Sequence, residues 1–332
     1  MNNYLVDVAV QTTIWIRPEL QAMQFEVIKK ARPKILFIQS DGGRNKEEWD
    51  RIYESRKMFE ESIDWDCTVY KIYSDKNNGL YSMYSKMLNF VWSKVDSCIF
   101  MEDDIVPSVS FFSFCKEMLE RYKDDMRVFG ISGYNILGEY GDDKYDYFFC
   151  GMPSSWGYAT WRHKDMIMYN YKAYFEDQYV LKLMKLLLSK SHYRQALDCK
   201  ENGEVNNHPP GPEFVKNISR ATQNALFIIP RKNMISNYGC TSNSAHASKL
   251  NNMTKEEQSL FKSKTYEIET IKHPHFVIRD LFYEKKYTEL IGGTKCKRIY
   301  RRVAKGIILI RTFQFYLLFK KIKNMIYCIK EK

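Results

Sequence analysis

Over its first hundred residues the chain alternates short apolar runs with stretches of helical pattern, and that alternation narrows the fold more than any other feature. Val6-Asp7-Val8-Ala9-Val10 reads as a strand, and Pro18 to Ala31 as a helix with a proline in its first turn. Lys34-Ile35-Leu36-Phe37-Ile38 is a second strand, ended by Asp41-Gly42-Gly43. Lys46 to Glu60 follows as a helix, Thr68 to Ile72 as a third strand, Tyr81 to Val95 as a helix and Ser97 to Met101 as a fourth strand. Strands that alternate with helices pair in parallel, because each helix returns the chain across the sheet. The expected class is therefore α/β: a mixed, mostly parallel, Rossmann-like sheet flanked by helices. Ligands in such sheets bind beyond the carboxyl ends of the strands. Two of those ends carry acids, Asp41 after the second strand and Glu102-Asp103-Asp104 after the fourth.

Beyond the triplet, Ser108 to Tyr122 reads as a helix capped by Ser108. From about Tyr145 the pattern mixes strands, aromatic loops and helices. Tyr179 to Lys190 is a helix rich in Leu and Lys, and Glu201 to Gly211, with Pro209-Pro210, is a loop.

The formal net charge is +11, which invites a nucleic-acid reading until the charges are located. Residues 295–332 hold twelve Lys/Arg and one acid; removing them from the totals of 51 and 40 leaves 39 of each in the remainder. A balanced body argues against a basic groove for nucleic acid. The eight cysteines are scattered with no Cys-x-x-Cys pair, so a structural zinc site has little support. The start of the chain runs directly into a strand-like segment rather than a secretory signal, so the expectation is reduced thiols in a cytoplasm.

Three adjacent acids at a strand end repel one another unless something positive lies beside them. A divalent cation bridging two phosphates is a natural partner, since Mg²⁺ or Mn²⁺ takes one or two carboxylates plus phosphate oxygens. A solvated acidic turn accounts for the same three residues, and on spacing alone both readings stand.

A longer set of motifs adds to this. The run Phe100-Met101-Glu102-Asp103-Asp104-Ile105-Val106-Pro107-Ser108 is followed by Phe111-Phe112 and then by Gly130-Ile131-Ser132-Gly133-Tyr134-Asn135. Around it stand Ile16-Arg17-Pro18-Glu19, Asp41-Gly42-Gly43-Arg44, Asn77-Asn78-Gly79-Leu80, Ser155-Trp156-Gly157-Tyr158-Ala159-Thr160-Trp161-Arg162, Pro230, Ser236-Asn237-Tyr238-Gly239 and Ala245-His246. In this order, over roughly residues 4–250, the set resembles the N-acetylglucosaminyltransferase I-like family and its bacterial sugar-transferase relatives. Gly43 stands where that family carries a proline.

The resemblance implies a GT-A fold, that of the nucleotide-diphospho-sugar transferases. It also implies a metal-dependent, inverting hexosyl- or N-acetylhexosaminyltransferase acting in surface polysaccharide or lipid-linked oligosaccharide synthesis. It implies Mn²⁺ or Mg²⁺ on Asp104 and a nucleotide-sugar donor, a UDP-sugar. Glu102 belongs to the same donor-binding triplet, with Asp103 on the ribose or sugar, Arg17 and Asp41 on the base or ribose, and Trp156 and Gly157 shaping the sugar and acceptor pocket. His246 falls near the diphosphate; a capped loop histidine is the ordinary alternative. The relatives carry their base as Asp in a Trp-Asp-x-Gln-Trp segment about 17 residues before the late proline. Counting back from Pro230 gives Glu213 in Pro212-Glu213-Phe214, without the tryptophans. An acid favoured by the dipole at a helix start explains Glu213 as well, and Asp198 is the reserve candidate.

The chain divides into a catalytic domain over residues 1–290 and a basic tail over 295–332. In the tail, Arg311 interrupts the apolar stretch, and about 20 unbroken apolar residues are needed to span a bilayer. A basic, aromatic-rich helix instead suits the anionic inner surface of the cell membrane, or packing on the catalytic domain. Partners on this reading are the donor, a glycan or lipid-linked acceptor and the membrane surface, with no nucleic acid. Two rivals stand: a sugar-1-phosphate nucleotidyltransferase, which lacks support because Gln11 to Arg17 has no glycine, and a non-catalytic membrane- or nucleic-acid-binding protein.

Overall fold

The structure is a computed structural model. It describes residues 3–152, 154–205, 209–240, 253 and 258–291, with 303, 306, 307, 310 and 311. His246 and nearly all of the basic tail lie outside the described residues.

Strands β1 (Val6–Ile14), β2 (Pro33–Ser40), β3 (Thr68–Tyr73) and β4 (Ser97–Met101) alternate with helices α1 (Pro18–Ala31), α2 (Lys46–Ser62) and α3 (Leu80–Trp92). The short β5 (Ile105–Pro107) leads into α4 (Ser110–Arg121). Next come β6 (Val128–Ser132), β7 (Tyr147–Cys150), β8 (Tyr158–Trp161) and α5 (Arg162–Tyr169). Helices α6 (Gln178–Leu187), α7 (Lys190–Asn202) and α8 (Pro212–Thr222) form an insert before β9 (Leu226–Pro230), β10 (Ile235–Asn237) and α9 (Leu281–Ile291).

Eight strands make one sheet in the order β3-β2-β1-β4-β8-β6-β9-β7, and β10 pairs with β5 beside it. The pairs β1·β2, β2·β3, β1·β4 and β6·β9 are parallel, while β8 and β7 run antiparallel to their neighbours. The α/β expectation is thus met: a mixed, mostly parallel sheet with helices on both faces. Strand β4 shows how both faces are filled. Its Ile99 and Met101 join the core under α1 and α4, while Cys98 and Phe100 meet Met87, Val91 and Trp92 of α3. A strand covered on both sides needs a continuous apolar run, which is the pattern that marked it in the sequence.

Two local expectations need correction. Ser108 does not cap α4: its buried hydroxyl has no partner, and the helix begins two residues later. The carboxylate of Glu267, far along the chain, accepts instead from the amides of Val109 at 3.0 Å and Ser110 at 2.7 Å. A full negative charge at a helix start interacts better with the exposed amides than a neutral hydroxyl does. Secondly, the Leu- and Lys-rich helix is not one helix to Lys190. It stops at Leu187, and Ser189 opens α7 by accepting from the amide of His192 at 3.1 Å. The serine side chain offers the backbone an end, and the chain takes it.

Candidate active site

The strand order 3-2-1-4 places the reversal of winding between β1 and β4, and a crevice opens outside the carboxyl ends of strands at such a point. Thr12 of β1 lies opposite Met101 of β4, so the turn after each strand meets the other at that crevice. Arg17 comes from the first turn and Glu102-Asp103-Asp104 from the second.

The acidic turn is held from below. Gln24, buried on α1, donates both to the carbonyl of Glu102 and to that of Ile105, each at 2.7 Å, and Thr12 hydrogen-bonds to its amide oxygen. From above, the amide of Tyr238 donates to the carbonyl of Asp104 at 2.9 Å. Arg17 spans the two aspartates, with Nε 3.2 Å from Asp103 and Nη1 3.1 Å from Asp104. Its guanidinium is therefore engaged by the acids.

One oxygen of Asp104, Oδ1, is buried with no hydrogen-bond partner. The other faces the backbone of Gly239, where an added Cβ would lie 2.1 Å from Oδ2. Only glycine permits that approach. An orphaned hard oxygen in a cradle of acids fits a divalent cation, which is coordinated by one or two carboxylates with phosphate oxygens completing the set. Among the described residues no three Asp, Glu, His or Cys side chains are placed to hold a metal ion together. Asp104 would hold the ion, with Asp103 beside it.

Burial works against the charge on all three acids. Burial, opposed by Arg17, pushes Asp103 up to about 6, and burial likewise raises Asp104. Glu102 is exposed to solvent although protein surrounds it. That enclosure, followed by the charges of Asp104, Asp103 and Glu213, pushes it up to about 8.

Glu213 is near enough for its charge to act on Glu102. It lies exposed in the first turn of α8, after Gly211 and Pro212. Asp198 lies on α7. Trp156 packs edge-on to Tyr134 at 4.9 Å and also meets Phe261. Gly157 is left-handed, at φ 62°, with Ile235 so close that a Cβ would sit 2.5 Å from it. Asp41 is used within the chain: it accepts from the amides of Gly42 at 2.9 Å, Asn78 at 3.0 Å and Gly79 at 2.9 Å. It ties the end of β2 to the loop that starts α3.

Sequence reasoning missed Lys216. One helical turn after Glu213, its amine stands 3.5 Å from the ring centre of Tyr158, which lies across from Phe100 and so beside the acidic turn. Burial pushes the amine down to about 8, against the pull of Asp165, Glu102 and Glu213. Asp165 accepts from the indole of Trp92 at 3.0 Å, and Tyr158, Tyr84 and Tyr169 form a hydroxyl chain alongside. The Glu-x-x-Lys spacing at the start of α8 was the available signal.

No family model and no curated protein matches the chain. Among solved structures it is similar to the mannosyltransferase PcManGT from Pyrobaculum calidifontis in complex with GDP-Man and Mn²⁺, at 11% identity and TM-score 0.36, over 66% of this chain and 70% of that one. It is similar to TarS of S. aureus at 6% and 0.37, over 71% and 60%. With glucosyl-3-phosphoglycerate synthase from Mycobacterium tuberculosis, in complex with Mn²⁺, UDP and phosphoglyceric acid, the values are 10% and 0.29, over 49% and 58%. The latter two are matched over less than two thirds of their length, and similarity this distant carries no functional argument.

Proposed function

We propose that the chain is a metal-dependent GT-A glycosyltransferase that moves a sugar from a UDP donor onto a hydroxyl of a glycan, with inversion. The observation that carries the reading is the acidic turn at the winding reversal, where one Asp104 oxygen, Oδ1, is buried without a partner and the other, Oδ2, faces a glycine that leaves it room. Asp104 holds Mn²⁺ or Mg²⁺, which supplies charge neutralisation to the leaving diphosphate. Arg17 bridges and orients the two aspartates, and Asp103 and Glu102 face the ribose or sugar. Asp41 contributes by fixing the neighbouring loop, while Trp156 and Gly157 bound the sugar and acceptor. Glu213 takes the proton of the acceptor hydroxyl as its oxygen bonds to the anomeric carbon and the bond from that carbon to the phosphate oxygen breaks. His246 is assigned a place near the diphosphate on the family resemblance alone. The acceptor in this reading is a lipid-linked or surface glycan, reached at the inner membrane face through the basic tail.

The test is thermal unfolding of the full chain with UDP-sugars, with and without Mn²⁺. A ligand bound only by the folded state raises the melting temperature as its concentration exceeds Kd. The expected result is a shift that needs Mn²⁺ and vanishes in Asp104→Ala, with UDP released on turnover. A Mn²⁺-independent shift, or one unchanged in Asp104→Ala, removes the metal site; release of pyrophosphate moves the chain to nucleotidyl transfer.

A further inference from the structure

Helix α6 carries its apolar residues on two sides. Leu181 and Met184 are buried against the insert core with Phe214, Val215 and Ile218 of α8. On the opposite side Leu186 is 82% exposed, Tyr179 67%, Leu187 52% and Leu183 38%. Their spacing of four, seven and eight residues from Tyr179 aligns them in one stripe. The insert core is complete without them, and among the described residues nothing buries them. Contiguous exposed apolar surface of this kind marks an interaction site.

The charges around the stripe indicate its partner. From Gln178 to Leu197 there are four bases, Lys182, Lys185, Lys190 and Arg194, and no acid. Lys182 and Lys185 stand exposed on α6 itself, between the stripe residues. An apolar stripe interleaved with lysines lies stably at a membrane interface, the leucines among acyl chains and the amines at anionic headgroups. A second copy of the same face would instead bring like charges together.

We propose that α6 is a docking surface for an anionic lipid bilayer, separate in the chain from the basic tail. It belongs to the insert that also carries Glu213. The surface stands on exposure and charge alone, and does not depend on the donor chemistry.

The test is co-sedimentation of the full chain with vesicles of phosphatidylcholine containing phosphatidylglycerol, against pure phosphatidylcholine. Leu186→Glu with Leu187→Glu should keep the native melting temperature, since both side chains are exposed, and weaken binding at least about tenfold. Lys182→Glu with Lys185→Glu should weaken it too and flatten its salt dependence, because screening acts on the charges. Tyr53→Glu, on α2 and 58% exposed, should bind as the native chain does. The proposal is overturned if the native chain ignores anionic vesicles, or if Leu186→Glu with Leu187→Glu binds within about twofold of it. It is also overturned if sedimentation velocity shows a native dimer that this double variant breaks while vesicle binding is unchanged, which assigns the stripe to a second copy.

Discussion

Gly239→Ala is a single-methyl probe of the candidate metal site. The backbone there is not left-handed, so alanine brings no conformational strain of its own. The added Cβ would lie 2.1 Å from Asp104 Oδ2, 2.9 Å from Asp104 Cγ and 3.0 Å from Asn237 Oδ1. Ordinary carbon–oxygen contact begins above about 3 Å, so the carboxylate must move by roughly 1 Å. It cannot do so freely, because Oδ2 is also the atom that receives Arg17 at 3.1 Å. A displacement of that size in a catalytic group costs about a hundredfold in rate, or about 2.7 kcal/mol of barrier. Global unfolding should change little, since the hydrogen bond from the Gly239 amide to Asn237 at 2.6 Å survives. The assay is Mn²⁺ titration followed by UDP-sugar turnover in the native chain and the variant, with melting curves for both. Unchanged Mn²⁺ affinity and turnover in Gly239→Ala would refute the assignment of Asp104 as ligand, because a displaced ligand cannot leave both intact.

Glu213→Gln should retain donor-induced thermal stabilisation but lose about a hundredfold in turnover, measured as UDP release with acceptor present; near-native turnover shifts the role to Asp198 or another acid. Lys164 is buried, and its amine donates to the carbonyls of Tyr122 at 2.7 Å, Asp125 at 2.9 Å and Val128 at 2.8 Å. Lys164→Met removes three hydrogen bonds, although the carbonyls of Tyr122 and Asp125 keep the amides of Asp125 at 3.3 Å and Val128 at 3.0 Å; at about 1 kcal/mol for each bond lost this predicts roughly 3 kcal/mol in denaturant unfolding, and a loss below about 1 kcal/mol refutes it. Lys216 has its amine pushed down to about 8 in the folded chain, so between that pH and the ordinary lysine value the unfolded chain binds more protons. Stability should therefore rise with pH across that window through Lys216, and this rise should be absent from the profile of Lys216→Met. Parallel melting-temperature profiles for the two proteins would contradict the placement of the amine.

The strands β1, β2 and β4, the helix α1 with its Pro18 start and the acidic turn were legible from the sequence, because each depends on neighbours within a few residues. Apolar runs fill two-sided strands, a proline suits a first helical turn, and a strand end fixes which rim its acids occupy. The sheet order was not legible, and with it the fact that Arg17 meets Asp103 and Asp104, 86 and 87 positions away in the chain. The same holds for Asp41, whose carboxylate looked available to a ligand and is engaged by the amides of Asn78 and Gly79. Glu267 replaces Ser108 at the start of α4 for a like reason: the better acceptor comes from a distant segment. Lys216 reads locally as a solvated helix lysine, and only the packing of α8 against α5 and β8 brings it over Tyr158 and toward Asp165. Backbone pattern is a short-range property that sequence carries directly. The partner of a charge is set by whichever groups folding brings within a few ångströms, and that depends on how distant segments pack.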